Sequence, residues 1–288
     1  MMISTIFLYF LTGFIGISVG SFLNVVIVRL PIMMKRQWEE ECHQLHLAKH
    51  VTYRSSRQRG LGNHLHFQKD FKLFNLFYPP SHCPYCRRLI PSKYNIPVVS
   101  FFMLGGKCSA CQHPISWRYP LVEGITGLFF IVLVYHFGLT FLCLAALIFT
   151  ALLLTMIFID WEHQLLPDCL TLLLLWAGLL VNVQNGFVSL DQAVIGAVAG
   201  YLSLWLIVRV FYFFTGKVGM GEGDFKLFAA LGAWFGWTIL PMLMLIAALS
   251  GLIGGLLLLK MRRQGRNTPI PFGPFLALAG WYALFFFP

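Results

Sequence analysis

Eight long apolar runs make up more than half of this chain. They cover residues 3–28, 121–137, 139–159, 169–186, 192–214, 225–240, 241–259 and 270–287. A transmembrane helix needs about 20 mainly apolar residues, and it satisfies its backbone polar groups within itself. With 58% hydrophobic and 11% charged residues, the chain has too little polar sequence for a large soluble catalytic domain. We therefore predict an all-α polytopic membrane protein with about eight transmembrane helices.

Basic residues are concentrated in three polar segments, and this distribution predicts the orientation of the helices. Most lie between residues 29 and 118, and the others flank the stretch 218–224 or follow residue 259, except for Arg209, which falls within the run 192–214. Because short cytoplasmic loops carry the excess of Lys and Arg, we predict that these segments are cytoplasmic and the amino terminus is outside. The same rule makes 225–240 a short true span rather than a re-entrant hairpin.

The net charge of +10 is explained mostly by this topology and by attraction to anionic membrane lipid. We expect no nucleic-acid partner, because basic and aromatic residues are not interleaved as they are in single-strand binders.

Three parts of the chain follow from these patterns. Residues 1–30 form the first transmembrane helix, residues 31–120 a cytoplasmic segment, and residues 121–288 a membrane-embedded domain. The stretch 43–80 is rich in histidine, and His43, His46 and His50 would share a face if 38–50 is helical. Their spacing matches no recognised metal pattern, so we interpret the stretch as a solvated helix and loop.

Four cysteines in the cytoplasmic segment form two CxxC pairs. Cys83 and Cys86 are separated from Cys108 and Cys111 by twenty-one residues. This spacing is close to that of zinc ribbons, in which each pair presents two thiolates to one tetrahedral ion. Disulfides and a redox CxxC pair are the alternatives; a cytoplasmic location disfavours the first, and duplication of the motif disfavours the second. We predict a small zinc-ribbon-like segment whose structural zinc compensates for the lack of a core.

Two carboxylates are expected at the cytoplasmic ends of membrane helices. Asp160 directly follows the run 139–159. Asp224 follows three alternating glycines and directly precedes the run 225–240. An ionised Asp at the centre of a membrane helix costs about 2.5–3.5 kcal/mol, so acids near this environment are functional candidates. A pair of nearby carboxylates shares one proton, and one can act as base on a water while the other acts as acid. This is the chemistry of an aspartic protease.

These acids have alternative interpretations. Asp224 could be only a helix cap, and a proton- or cation-coupled transporter also uses paired membrane acids. The acids lie near one face rather than along a path, and the spans show no inverted repeat of broken helices. Asp168 follows Pro167 as at a helix start, so we interpret it as structural or substrate-orienting. Glu162 and Glu222 are expected to be solvated.

The motifs in this order resemble the type IV prepilin peptidases, membrane aspartic proteases of the GxGD kind. The resemblance covers nearly the whole chain and rests on five separated motifs: Ser21-Phe-Leu-Asn-Val-Val-Ile with Arg29-Leu-Pro31, the two CxxC pairs, Arg118-Tyr-Pro-Leu-Val-Glu123, Phe158-Ile-Asp160 with Leu165-Leu-Pro-Asp168, and Gly221-Glu-Gly-Asp224-Phe-Lys-Leu. The cysteine segment distinguishes the chain from the shorter archaeal preflagellin-type peptidases, which lack it. The stretch 43–80 is longer than we would expect for the family.

The resemblance implies two activities. Family members in bacteria cut the basic leader from prepilins of type IV pili and from secretion pseudopilins at the cytoplasmic face of the inner membrane. They then methylate the new amino-terminal residue with S-adenosylmethionine. On this resemblance Asp160 and Asp224 are the catalytic pair, and the four cysteines belong to the methylation segment. No glycine-rich fingerprint marks the methyl-donor site, so we assign it no residues, and nothing in the sequence defines an oligomeric state.

Overall fold

The computed structural model describes residues 2–54, 74–91, 94–217, 219–262 and 271–286, and the regular secondary structure of these residues is helical. The helices are α1 (Met2–Arg54), α2 (Val99–Met103), α3 (Arg118–Phe137), α4 (Phe141–His163), α5 (Asp168–Val183), α6 (Leu190–Thr215), α7 (Glu222–Phe235), α8 (Leu240–Arg262) and α9 (Gly273–Phe286). Eight of them fall on the eight apolar runs, and α2 is a short helix within the polar segment. The predicted all-helical fold is thus confirmed for this part of the chain.

Five of the helices are long and apolar enough to cross a membrane. These are Ile6–Leu45 within α1, then α3, α4, α6 and Leu240–Leu257 within α8. The helices α5, α7 and α9 have 16, 14 and 14 residues. At 1.5 Å per residue they are about 21–24 Å long, less than the hydrocarbon thickness of about 30 Å. The structure therefore supports a multi-pass membrane protein with five clear candidate spans, and the count of eight stays a prediction.

The first helix continues well past the predicted membrane boundary at residue 30. It has 53 residues and includes Pro31, so its second half extends beyond what a bilayer requires. Good helix formers such as Met, Lys, Gln and Glu follow the proline. The helix considered over 38–50 is present, but the side chains of His46 and His50 and the stretch 55–73 lie outside the described residues.

The helix α7 is the most enclosed element of the membrane domain. From Asp224 to Phe235 every side chain except Lys226 is buried. Its neighbours are α5, α6 and α9. On the α6 side, glycines allow very close packing: a Cβ at Gly196 would lie 2.3 Å from the carbonyl oxygen of Gly232. Such small-residue contacts replace the hydrophobic effect as a source of helix association in lipid.

Polar contacts fix the other side of α7 against α5. Trp234 donates its indole N–H to the carbonyl oxygen of Leu174 at 2.8 Å. Asn182 is fully buried and donates to the carbonyl oxygens of Ala233 and Trp234 at 2.8 and 3.0 Å. The amide oxygen of Asn182 accepts from the backbone N–H of Phe187 at 2.9 Å. Because these polar groups are satisfied within the protein, α7 can end inside an apolar environment.

Candidate active site and cysteine cluster

Asp160 lies in the last turn of α4. Its backbone carbonyl oxygen accepts from the N–H of Gln164, whose left-handed conformation (φ 52°) ends the helix. The side chain is 5% exposed, and its Oδ2 accepts a hydrogen bond from the backbone N–H of Gly273 at 3.0 Å. Gly273 is the first residue of α9, so two helices meet at this carboxylate.

Asp224 lies in the first turn of α7. Gly221 precedes the helix in an extended conformation, and its carbonyl oxygen accepts from the N–H of Asp224 at 3.2 Å. The side chain of Asp224 is 8% exposed, although it lies within the first turn of the helix. It is therefore not the cap residue itself, and burial removes it from the bulk water that an ordinary helix-start acid would contact.

The fold brings the two carboxylates together. They are close enough for the charge of Asp160 to act on Asp224. Leu166, in the link between α4 and α5, packs against both sides of the site. A Cβ at Gly223 would lie 2.7 Å from Cβ of Leu166, and a Cβ at Gly273 would lie 3.2 Å from its Cδ2. Two buried acids whose charges interact can hold one proton between them and polarise a water molecule.

Asp168 has a different environment. It begins α5, and its two carboxylate oxygens each lie 2.7 Å from Nζ of Lys226 on α7. The Asp168 side chain is 59% exposed. The helix-start position is as predicted from Pro167, and the ion pair favours the structural interpretation of Asp168 over a part in the reaction. Sequence reasoning did not predict Lys226 as its partner.

Glu162 is not simply solvated, as the sequence suggested. Arg118, the first residue of α3, donates to Glu162 Oε1 at 2.7 Å and also contacts Oε2. The pair joins the end of the segment 31–120 to the chain two residues after Asp160. The sequence could have predicted this pair. The helices α3 and α4 form a hairpin with a turn at 138–140, so residues near 118 and 160 lie opposite each other.

Buried polar residues of α1 and α3 contact the end of the segment 31–120. Glu123 on α3 is buried and accepts from the backbone N–H of Val98 at 2.7 Å. Asn24 on α1 is buried and donates to the carbonyl oxygen of Tyr119 at 3.0 Å. Buried polar groups need such partners. These contacts anchor the residue before α2 against α3, and the start of α3 against α1.

The four cysteines form one cluster. Their sulfur atoms all lie within 4.8 Å of one another. The two pairs are held in the same way: the N–H of Cys83 donates to the carbonyl of Arg88, and the N–H of Cys108 donates to that of His113. The turn residues Arg87 and Gln112 both have φ 57°. Two matching knuckles thus face each other, as the CxxC spacing predicted.

The donor set fits a tetrahedral zinc ion. Ligands at the usual Zn–S distance of about 2.3 Å lie about 3.8 Å apart, and the Sγ atoms of Cys83 and Cys111 are separated by 3.8 Å. Backbone hydrogen bonds from Cys111 and Ala110 lower the pKa of the Cys108 thiol to about 6. Thiolates are the form that binds metal, so these hydrogen bonds favour the ligating state of Cys108.

Comparison with known proteins gives two family matches. Residues 14–137 match the model of the bacterial peptidase A24 N-terminal domain. Residues 147–256 match the model of the type IV leader peptidase family. This range includes both Asp160 and Asp224. Together the two matches cover all four cysteines and both carboxylates.

Individual relatives are similar over nearly the whole chain. The chain is 45% identical over 279 residues to the prepilin leader peptidase/N-methyltransferase of Legionella pneumophila, covering 97% of this chain and 91% of that protein. It is 49% identical over 273 residues to the protein of the same description from Pseudomonas aeruginosa, covering 95% and 88%. For the Neisseria gonorrhoeae protein the identity is 45% over 271 residues, covering 94% and 88%. No solved structure matches the chain.

Proposed function

Since this chain belongs to the type IV leader peptidase family, we propose that it removes the leader peptide of prepilins or pseudopilins and then N-methylates the new amino terminus. The relatives that are similar over 94–97% of the chain carry both activities in their names. The observation that carries the proteolytic half is the meeting of Asp160 and Asp224, two buried carboxylates on separate helices. Neither the family nor the relatives support the transporter alternative.

Asp160 and Asp224 would act as a single general acid–base unit. With one proton shared between them, the ionised carboxylate takes a proton from water as the water oxygen attacks the scissile carbonyl carbon. The protonated carboxyl gives its proton to the carbonyl oxygen. When the tetrahedral species collapses, the C–N bond breaks, the leaving nitrogen takes a proton from the dyad, and one hydroxyl of the gem-diol returns its proton to the dyad as the carboxyl product forms. This sequence requires neither a metal ion nor a covalent intermediate.

The position of the dyad suits a prepilin substrate. Such a protein has a basic leader in the cytoplasm and an apolar amino-terminal helix in the bilayer, so its scissile bond lies at the interface. In our topology the end of α4 and the start of α7 face the cytoplasm, with the basic segments on the same side. Glu222, exposed at the start of α7, is a candidate contact for the basic leader.

Methyl transfer is assigned to the segment 31–120 and peptide cleavage to residues 121–288, while residues 1–30 form the first transmembrane helix. When bound, S-adenosylmethionine supplies an electrophilic methyl group to the amine that cleavage releases. Cys83, Cys86, Cys108 and Cys111 would hold a structural zinc ion, on the strength of their mutual distances. The ion would fix the fold of a segment in which most of the four-cysteine region is exposed to solvent.

We further propose that α5, α7 and α9 also cross the membrane, giving eight spans in the inner membrane of the cell. Two arguments support this. The distribution of Lys and Arg alternates correctly only if α5 and α7 cross. Both α7 and α9 are buried along most of their length, so their lengths are less restrictive than those of helices exposed to lipid.

The central experiment is expression with a candidate prepilin in a strain that lacks its own processing enzyme. Leader removal and methylation are followed by mass for the wild type, Asp160→Asn, Asp224→Asn and Asp168→Asn. We expect a cleaved and methylated product from the wild type and from Asp168→Asn, and uncleaved prepilin from the other two. Full cleavage by folded, inserted Asp224→Asn would remove the aspartic-protease mechanism.

A further inference from the structure

The first residue of α9 contributes directly to the arrangement of the dyad. We propose that Gly273 is a positioning residue for Asp160: its backbone N–H holds Oδ2, and its missing side chain makes room for the carboxylate. The inference rests on the proposed peptidase activity. It adds a third helix, which carries neither aspartate, to the catalytic geometry.

The contact is direct and buried on both sides. The N–H of Gly273 donates to Asp160 Oδ2 at 3.0 Å, and both residues are buried. Within the described part of the chain, this hydrogen bond joins residues that are 113 positions apart. A hydrogen bond to a charged group is about twice as strong as a neutral one. The amide is therefore placed to stabilise one orientation of the Asp160 side chain.

The same position leaves no space for a larger residue. A Cβ at 273 would lie 2.7 Å from Asp160 Oδ2 and 3.2 Å from its Cγ. Real Cβ atoms essentially never approach another heavy atom within 3.0 Å. Movement away from Asp160 is also restricted, because Leu166 Cδ2 lies 3.2 Å from the same point. A methyl group here must displace the carboxylate, lengthen the hydrogen bond, or both.

A fixed Oδ2 has a consequence for the reaction. Asp160 lies in the last turn of α4, where its carboxylate could otherwise rotate about two side-chain torsions. Holding Oδ2 with a main-chain donor leaves Oδ1 as the acceptor for a water proton. Preorganisation of this kind acts on the catalytic step rather than on substrate binding, and a displacement of about 1 Å can cost about 100-fold in rate.

The test compares Gly273→Ala with Gly280→Ala. Both glycines lie on α9, and in both a new Cβ would meet a neighbour at 2.7 Å, but at Gly280 that neighbour is Leu231 Cδ2. The two substitutions therefore crowd the same helix to a similar degree, and only one of them touches Asp160. The full-length enzyme is assayed in detergent with a prepilin for kcat and KM, after the folded fraction is measured by thermal unfolding.

Methylation of a synthetic leaderless pilin peptide provides an internal check of integrity, because it does not require the dyad. For Gly273→Ala we expect kcat for cleavage to fall about 100-fold, with KM and methylation near the wild-type values. Gly280→Ala should retain kcat per folded molecule.

Wild-type kcat in Gly273→Ala would overturn the proposal, as would equal losses of cleavage and methylation in both variants. Failure of the wild type to cleave while it methylates the leaderless peptide would instead overturn the proposed peptidase function.

Discussion

Lys226 reaches from α7 to the first turn of α5, where its ammonium nitrogen lies 2.7 Å from each carboxylate oxygen of Asp168. Lys226 is two residues from Asp224, so this ion pair fixes the beginning of the helix that bears one member of the dyad. The acids in this region are therefore of two kinds. Asp168 is exposed and paired with a cation, whereas Asp160 and Asp224 are buried next to each other.

Loss of the Asp168 pair should affect stability more than chemistry. For Asp168→Asn we expect cleavage within a fewfold of the wild type and a loss of about 0–1 kcal/mol in stability, because the pair is partly exposed. Lys226→Gln should behave in the same way. Thermal unfolding in detergent and a cleavage assay check this. Abolished cleavage in folded Asp168→Asn would show that this acid takes part in the reaction.

The effects on kcat of substituting the two buried aspartates should be non-additive. Asp160→Asn and Asp224→Asn are each expected to reduce kcat by about 10³-fold or more, and the double variant should be no worse than either single variant. The physical reason is that each carboxylate needs the other to hold the shared proton. Single-turnover cleavage of a prepilin by the three purified proteins measures this. Losses that multiply in the double variant would show that the acids act independently.

Removal of the metal should separate the two activities. We expect one zinc per chain by elemental mass spectrometry, lost in Cys83→Ser and Cys108→Ser, with methylation abolished and cleavage kept. Cys169→Ser is a matched control, since Cys169 is exposed and outside the cluster. If zinc is absent from the active wild-type protein, the structural metal site is wrong. If the cluster variants also lose cleavage, the segment supports both activities.

The contact between α6 and α7 should tolerate no side chain. Gly196→Ala would place a Cβ 2.3 Å from the carbonyl oxygen of Gly232, and overpacking of this kind costs about 1–3 kcal/mol. Gly124→Ala is the control, because a Cβ on that α3 glycine meets nothing within 4 Å. We expect Gly124→Ala to be neutral or stabilising by up to about 1 kcal/mol. Equal melting temperatures for the two variants would contradict the close helix crossing.

Glu222 should contribute to recognition of the leader. Removing its charge with Glu222→Gln is expected to raise KM a fewfold for a prepilin with a basic leader, since an exposed ion pair contributes about 0–1 kcal/mol. Added salt should reduce the difference. A substrate whose leader lysines are replaced by glutamine provides the comparison, and for it the two enzymes should agree. Identical KM values for the basic leader at low salt would remove Glu222 from recognition.

Much of the fold could be predicted because its periodic features are local. Apolar runs marked eight of the described helices, and the CxxC spacing marked the cysteine cluster. Glycines near helix ends also set boundaries: α7 stops at Phe235, earlier than the apolar run, because Gly236 adopts φ 80°. The prediction from hydropathy extended this helix to residue 240, because hydropathy carries no information on backbone conformation.

The contacts between distant segments could not be predicted from local patterns. The pairing of Gly273 with Asp160 depends on how α9 packs beside α4, and a backbone amide leaves no mark in a sequence. The pair Lys226–Asp168 depends on the angle between α7 and α5. Arg118 and Glu162 are the exception, because the short turn between α3 and α4 sets their register. The acids themselves were identifiable because charges are rare in apolar sequence.

The shortness of α5 affects the lipid as well as the protein. This helix exposes Leu172, Leu173, Trp176 and Leu180, so the membrane is expected to be thinner beside it than elsewhere around the chain. Local thinning would bring water and phospholipid headgroups down to the level of Asp160 and Asp224. The hydrolytic water would then reach the site without a channel through the protein. Acyl-chain length in the surrounding bilayer becomes a determinant of turnover, because thicker membranes would oppose that deformation.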